Sequence, residues 1–150
     1  MIDFSLVNLE RWTIRYARIA LGTAFLSAVA ARFGIWDGAG FSHFPKFLAY
    51  TAEVNSFMPA FAIPVLAWSA TIFETVFGIL LVFGLWIRWA ALGSSVLLAV
   101  FGTAMAISFG PKEPLDYSVF SASAAAAMVA VHSMRTSQSR SNISIALEER

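Results

Sequence analysis

Long apolar runs alternate with short polar breaks along this chain. The runs cover residues 14–34, 65–86, 89–109 and 115–134. Each is near the roughly 20 apolar residues that a helix needs to cross a ~30 Å hydrocarbon core. The breaks at 87–88 and 110–114 are short, which forces antiparallel neighbours. The pattern therefore predicts an all-α, integral membrane four-helix bundle over residues 1–135. A polar tail, residues 136–150, follows and is expected to be mobile. Helices suit lipid because they pair their own backbone groups. The connection over 35–60 is too long for an inert turn. Pro45 can open a short helix there, PKFLAYTAEVNS, with Phe44, Phe47, Leu48 and Thr51 on one face. It is expected either in the outer interface or folded over the mouth of the bundle. A plain surface helix without a ligand fits the pattern equally well.

Composition agrees with lipid as the surrounding medium. The chain is 59% hydrophobic and 13% charged, with mean hydropathy +0.73, against about 25% charged in soluble domains. A domain this small in water could not hide so much apolar side chain. A net charge of +1 argues against a nucleic-acid surface, which needs a concentrated basic stripe. The absence of cysteine excludes thiolate metal sites, disulfides and dithiol redox steps by this chain.

The basic residues set an orientation. Arg11, Arg15, Arg18, Arg88, Arg135, Arg140 and Arg150 fall on one side of four spans, and Arg32, Lys46 and Lys112 on the other. Seven against three predicts that both termini are cytoplasmic. Trp12 and Trp36 bracket the first span, while Trp86 and Trp89 mark the cytoplasmic turn, as interfacial aromatics do. Arginines, the apolar run 19–31 and the AVA at 28–30 also mimic a signal peptide. The segment is nevertheless expected to be retained as a span.

Polar residues inside the apolar runs carry the candidate chemistry. Glu74 sits near the middle of the second span, where an acid costs at least a few kcal/mol. It should therefore face the bundle interior, protonated or paired. Thr71, Glu74, Thr75 and Gly78 share one helical stripe, small and polar enough for close helix contact. In the first span Arg18, Gly22, Phe25, Val29 and Arg32 form a matching stripe. Arg18 and Arg32 each lie about 10 Å in depth from Glu74, so the sequence allows either pairing. Such a pair could simply fix helix register, and both arginines could snorkel to their own interfaces.

The other candidates are in the connections. His43 and Lys46 flank Pro45 and, with Asp37, could line an outer mouth, although a loop histidine is more often merely solvated. His132, in the last turn of the fourth span, reads as a helix-end anchor. Two distant histidines without cysteine predict no metal site. They also predict no haem held by two histidines, because the two fall on opposite sides of the membrane. The SASAAAAMVA run from Ser121 is a packing surface. No nucleophile elbow, phosphate loop or metalloprotease motif occurs.

RIALGTAFLSAVAARFG (residues 18–34), followed by Pro64, Glu74, Gly78 and the run ILLVFGLWIR (79–88), resembles the DoxX family of small membrane proteins. The shared order is an Arg with a Leu-Gly pair, then E-x-x-x-G…LLxxGLxxR, over roughly residues 15–131. Arg32 stands where that family often has a lysine. The resemblance implies a four-helix protein of the bacterial inner membrane, linked to quinone-dependent or other membrane redox complexes. It maps Arg18, Gly22, Glu74, Gly78, Gly84 and Arg88 onto the family pattern, with Arg32 as a substituted match.

Two functions are therefore expected. One is a redox-linked subunit, without an intrinsic cofactor, that binds a quinone or similar lipophilic molecule in the bundle. Glu74 would then move a proton, and Arg18 or Arg32 would orient a carbonyl or anion, with Thr71, Thr75, Gly78, His43 and Lys46 nearby. The other is a non-enzymatic assembly subunit whose Glu–Arg pair specifies packing, with redox proteins or further copies of the chain as partners. A solute carrier is disfavoured because no repeat with broken helices is evident.

Overall fold

A computed structural model describes residues 4–38 and 43–148, with side chains at residue 6 and over 8–38 and 43–138. The described residues are helical, without a strand. In chain order they form α1 (Phe4–Arg32), α2 (Phe44–Val54), α3 (Ile63–Phe83), α4 (Ile87–Phe109), α5 (Lys112–Asp116) and α6 (Val119–Glu148), with a 3-10 turn at Ala60–Ala62 before α3.

The helix ends follow from local chemistry. Gly34 (φ +59°) closes α1, where its N–H donates to Ala31 O and the Ile35 N–H to Ala30 O. Gly84 (φ +76°) closes α3 in a related way, with the Leu85 N–H on Leu80 O. Glycine meets no Cβ penalty in this left-handed geometry, so both carbonyl ends are satisfied by a tight turn. Pro45 and Pro64 fall in the first turns of α2 and α3, where the missing N–H has no helical partner to lose. Gly110 and Pro111 end α4.

The four long helices pack in a ring, α1 on α3, α3 on α4, α4 on α6 and α6 on α1. Glycine lets α1 approach α3 closely: a Cβ at Gly22 would lie 2.9 Å from Gly78 O and 2.8 Å from Val82 Cγ2. Between α3 and α4, the Phe77 ring occupies the space a side chain at Gly93 would need. Ala90 and Ala91 of α4 meet Ala126, Val129 and Ala130 of α6 in the buried core. The Ser123 hydroxyl ties these two helices by donating to Ser95 O at 2.8 Å. Small residues in the seam trade side-chain volume for close backbone approach.

Outside the ring, Ile72, Val76 and Ile79 of α3 and Val96, Val100 and Ile107 of α4 are exposed. Such a continuous apolar surface is what a lipid-facing wall requires and water does not tolerate. Among the described residues, three helical stretches are long and apolar enough to cross a membrane: Asn8–Arg32, Ala60–Phe83 and Ile87–Phe109. The expected fourth span is not among them, because the Ala- and Ser-rich start of α6 runs into His132 and Arg135. It also starts later than the pattern suggested. Residues 112–116 form the separate α5, and Ser118 (φ +55°) breaks the chain before α6.

The backbone of the polar tail continues α6 to Glu148, since no Gly or Pro interrupts it after Val119. The helix expected in the first connection is present as α2. It lies over one end of the ring, against α1, α3 and α4. Ser108 of α4 donates to Val54 O at 2.7 Å, and Tyr50 stacks on Phe109.

Candidate functional site

The acid in the second apolar run is paired. Arg32, the last residue of α1, donates through Nη2 to both oxygens of Glu74, at 2.8 Å to Oε1 and 2.6 Å to Oε2. Nη1 donates to Thr71 Oγ1 at 3.1 Å, and the Thr71 hydroxyl donates in turn to Ala67 O at 2.8 Å. Arg32, Glu74 and Thr71 are 9%, 5% and 3% exposed. The Phe47 ring of α2 covers the guanidinium, with Cζ of Arg32 3.8 Å from its centroid. Ionic, hydroxyl and π contacts therefore surround one cation.

Energetically such a pair is a commitment rather than a simple gain. Removing both charges from water costs several kcal/mol per ion, and their attraction recovers this only when geometry and hydrogen bonds are good. Losing one partner strands the other, at about 3–5 kcal/mol. The arrangement thus locks α1 to α3 at one register, with both carboxylate oxygens of Glu74 engaged by Arg32. An aromatic group extends the cover. Phe33 stacks on Phe44 at 5.8 Å, and Trp68 lies 4.6 Å from Phe44 and 6.5 Å from Phe33.

The remaining candidates are dispersed. The Thr75 hydroxyl donates to Thr71 O within its own helix. Gly78 contacts α1 through Gly22 O and Leu26. Arg18 does not reach Glu74: its guanidinium lies against Gly84 at the other end of α3. The distance is inherent, because 14 helical residues separate it from Arg32, about 21 Å of rise. Its Nε has no hydrogen-bond partner among the described residues. His43 Nε2 lies 3.3 Å from Asp37 Oδ2, and Lys46 is exposed on α2. At the far end His132 Nδ1 meets Glu10 Oε1 at 2.9 Å. Among the described residues, no three His, Asp or Glu side chains converge as metal ligands.

Sequence reasoning missed Phe33 and Trp68 as parts of the cover and Glu10 as the partner of His132. Aromatics at both chain ends of the 35–60 connection were the available signal for the first two. Glu10 gave none, since its partner is 122 positions away.

Three membrane-length helices, an apolar outer wall and an internal ion pair define a helical membrane protein. A family model described as methylamine utilisation protein MauE matches residues 10–116, and the chain belongs to that family. This finding replaces the DoxX resemblance. Two residues behind that resemblance, Gly22 and Gly78, serve the close approach of α1 to α3. No curated protein and no solved structure matches the chain significantly. The matched segment holds α2 to α5 and most of α1, including the whole Arg32 cluster, and stops before α6.

Proposed function

We propose that this protein is a membrane-embedded assembly subunit serving methylamine utilisation, not a catalyst. In this reading all four long helices cross the bacterial inner membrane, both termini are cytoplasmic, and α2 lies in the outer interface. The seven-to-three bias of basic residues and the closed ring of helices support that topology. Its partners would be membrane-associated redox proteins or further copies of the chain. The observation that carries the reading is the closed cluster of Arg32, Glu74, Thr71 and Phe47. Arg32 directs hydrogen bonds to Glu74 and Thr71 across the helix seam, as a packing device requires.

The test is complementation of methylamine-dependent growth in a strain lacking the gene, read together with the amount of folded protein in membranes. Glu74→Gln should lower both in proportion. Normal abundance and detergent stability with growth abolished would refute the packing role.

A second reading is favoured by one cavity. About 170 Å³ opens between α2, α3 and α4, lined by Thr51, Ala70, Phe73, Leu97, Phe101 and Ala104 among others. It is apolar and one helical turn from Glu74, as a quinone or similar lipophilic guest would need. Its volume is below the ~300–1,000 Å³ usual for ligand pockets, so it supports this reading less well. Quinone-analogue binding that Ala70→Leu abolishes, in a stably folded protein, would move the balance toward it.

A further inference from the structure

We propose that the end of the molecule at the α3–α4 turn binds one anionic phospholipid, headgroup in a cleft of arginines and acyl chain in an adjoining groove. The proposal is independent of the assembly reading and rests on features that reading does not use.

A cleft of about 600 Å³ lies between the first half of α1 and the stretch of α6 around residues 132–137, with Arg11, Arg15 and Ser133 in its wall. A second hollow of about 420 Å³ shares Ile87, Ser133 and Ser137 with it and adds Arg88. The two form one basic depression. Arg15 packs over Trp12 (5.4 Å) and Arg88 over Trp89 (5.1 Å). These contacts orient the guanidinium groups without neutralising them, so their donors stay available for phosphate oxygens. Arg18 adds a cation behind Gly84, which lines the second hollow, and its buried Nε has no partner among the described residues.

The charge balance at this end is one-sided. Among the described side chains the only carboxylate here is Glu10, and His132 engages it. Asp37, Glu53, Glu113 and Asp116 belong to the α1–α2 connection, α2 and α5, at the opposite end. Basic recesses next to a membrane surface attract anionic headgroups.

Shape selects a lipid over free phosphate. A groove of about 580 Å³ between α1 and α6 shares Glu10, Ile14 and His132 with the cleft, and Leu9, Met128 and Val131 make it mainly apolar. A charged recess that runs into an apolar groove fits an amphiphile. Exposed Trp12 packs beside Arg15, and exposed Trp86 and Trp89 line the second hollow, as tryptophans at a membrane interface do.

The experiment is native mass spectrometry of the full chain in detergent, with phosphatidylglycerol and phosphatidylcholine supplied in equal amounts. The wild-type chain should retain one phosphatidylglycerol in preference to phosphatidylcholine. The triple variant Arg11→Gln, Arg15→Gln, Arg88→Gln should lose that preference by on the order of tenfold or more. The control Lys46→Gln, Lys112→Gln, at the other end, should keep it. All five positions are exposed, so folding is preserved, and circular dichroism checks it. Equal retention of both lipids, or an equal loss in the control, would overturn the proposal. So would inorganic phosphate displacing the lipid while Met128→Trp, which fills the groove, leaves retention unchanged; that outcome would identify a soluble anion instead.

Discussion

Gly22 of α1 and Gly78 of α3 sit back to back, so close that a Cβ at Gly78 would lie 3.1 Å from Gly22 O. The reverse substitution meets a harder neighbour. A Cβ at Gly22 would lie 2.9 Å from the Gly78 carbonyl, which cannot rotate away, and 3.1 Å from Leu81 Cβ. At Gly78 the closest atoms are the mobile end of Leu26, at 2.9 Å. Both alanine variants should therefore destabilise the protein, Gly22→Ala more than Gly78→Ala, within the ~1–3 kcal/mol typical of overpacking. Thermal denaturation in detergent gives the order, and equal or reversed losses would contradict the packing described.

The Arg32–Glu74 pair predicts a characteristic double-mutant cycle. Either Arg32→Met or Glu74→Leu alone leaves a buried charge uncompensated and should cost about 3–5 kcal/mol. The double variant removes both charges and should lie well above either single variant in stability. If its loss equals the sum of the two, the groups are not coupled.

Phe47 covers the same guanidinium. Phe47→Leu keeps an apolar side chain but removes the π face, and should cost about 0.5–2 kcal/mol. In an Arg32→Met background that cost should largely vanish. A penalty independent of Arg32 would mean that Phe47 acts only by filling space.

Tyr50 supplies a pH signature outside the spans. Burial pushes its phenol above the ordinary value of 10.0, and Tyr117, Glu113 and Glu53 push it further the same way. A raised acid contributes stability that is fully present below the unfolded pKa and lost as pH rises through the folded one. The protein should therefore lose stability progressively above about pH 10, and Tyr50→Phe should reduce that loss. Because Tyr50 is 38% exposed, the effect should be small. Tyrosinate absorbance and melting temperature, followed together against pH, measure it.

Much of the site was legible in the sequence because lipid makes polar residues conspicuous. Thr71, Glu74 and Gly78 stood out in an apolar window, and all three are buried. The face of Phe44, Phe47, Leu48 and Thr51 was also readable, since a helix over 44–54 has only one apolar side. The choice between Arg18 and Arg32 was not. They lie two heptads apart on one stripe, so only the sliding position of α1 along α3 decides between them. That position is set by backbone contact at Gly22 and Gly78, which leaves no polar trace. The family was misread for a related reason: Gly22 and Gly78, which carried part of the resemblance, serve close helix contact, and small residues are used for that in membrane helices generally.

The pairing of Arg18 with Gly84 and of Arg32 with Thr71 fixes an axial stagger between the first two long helices. α1 ends level with Thr71, eight residues or about 12 Å short of the start of α3. At its other end it overshoots the α3–α4 turn by 14 residues, about 21 Å. The shortfall makes the step on which α2 rests and in which Arg32 is enclosed. The overshoot raises the wall that carries Arg11 and Arg15. Two features at opposite ends of the molecule thus share one mechanical coordinate: sliding α1 by a single turn of 5.4 Å would disturb the ion pair and the arginine wall together.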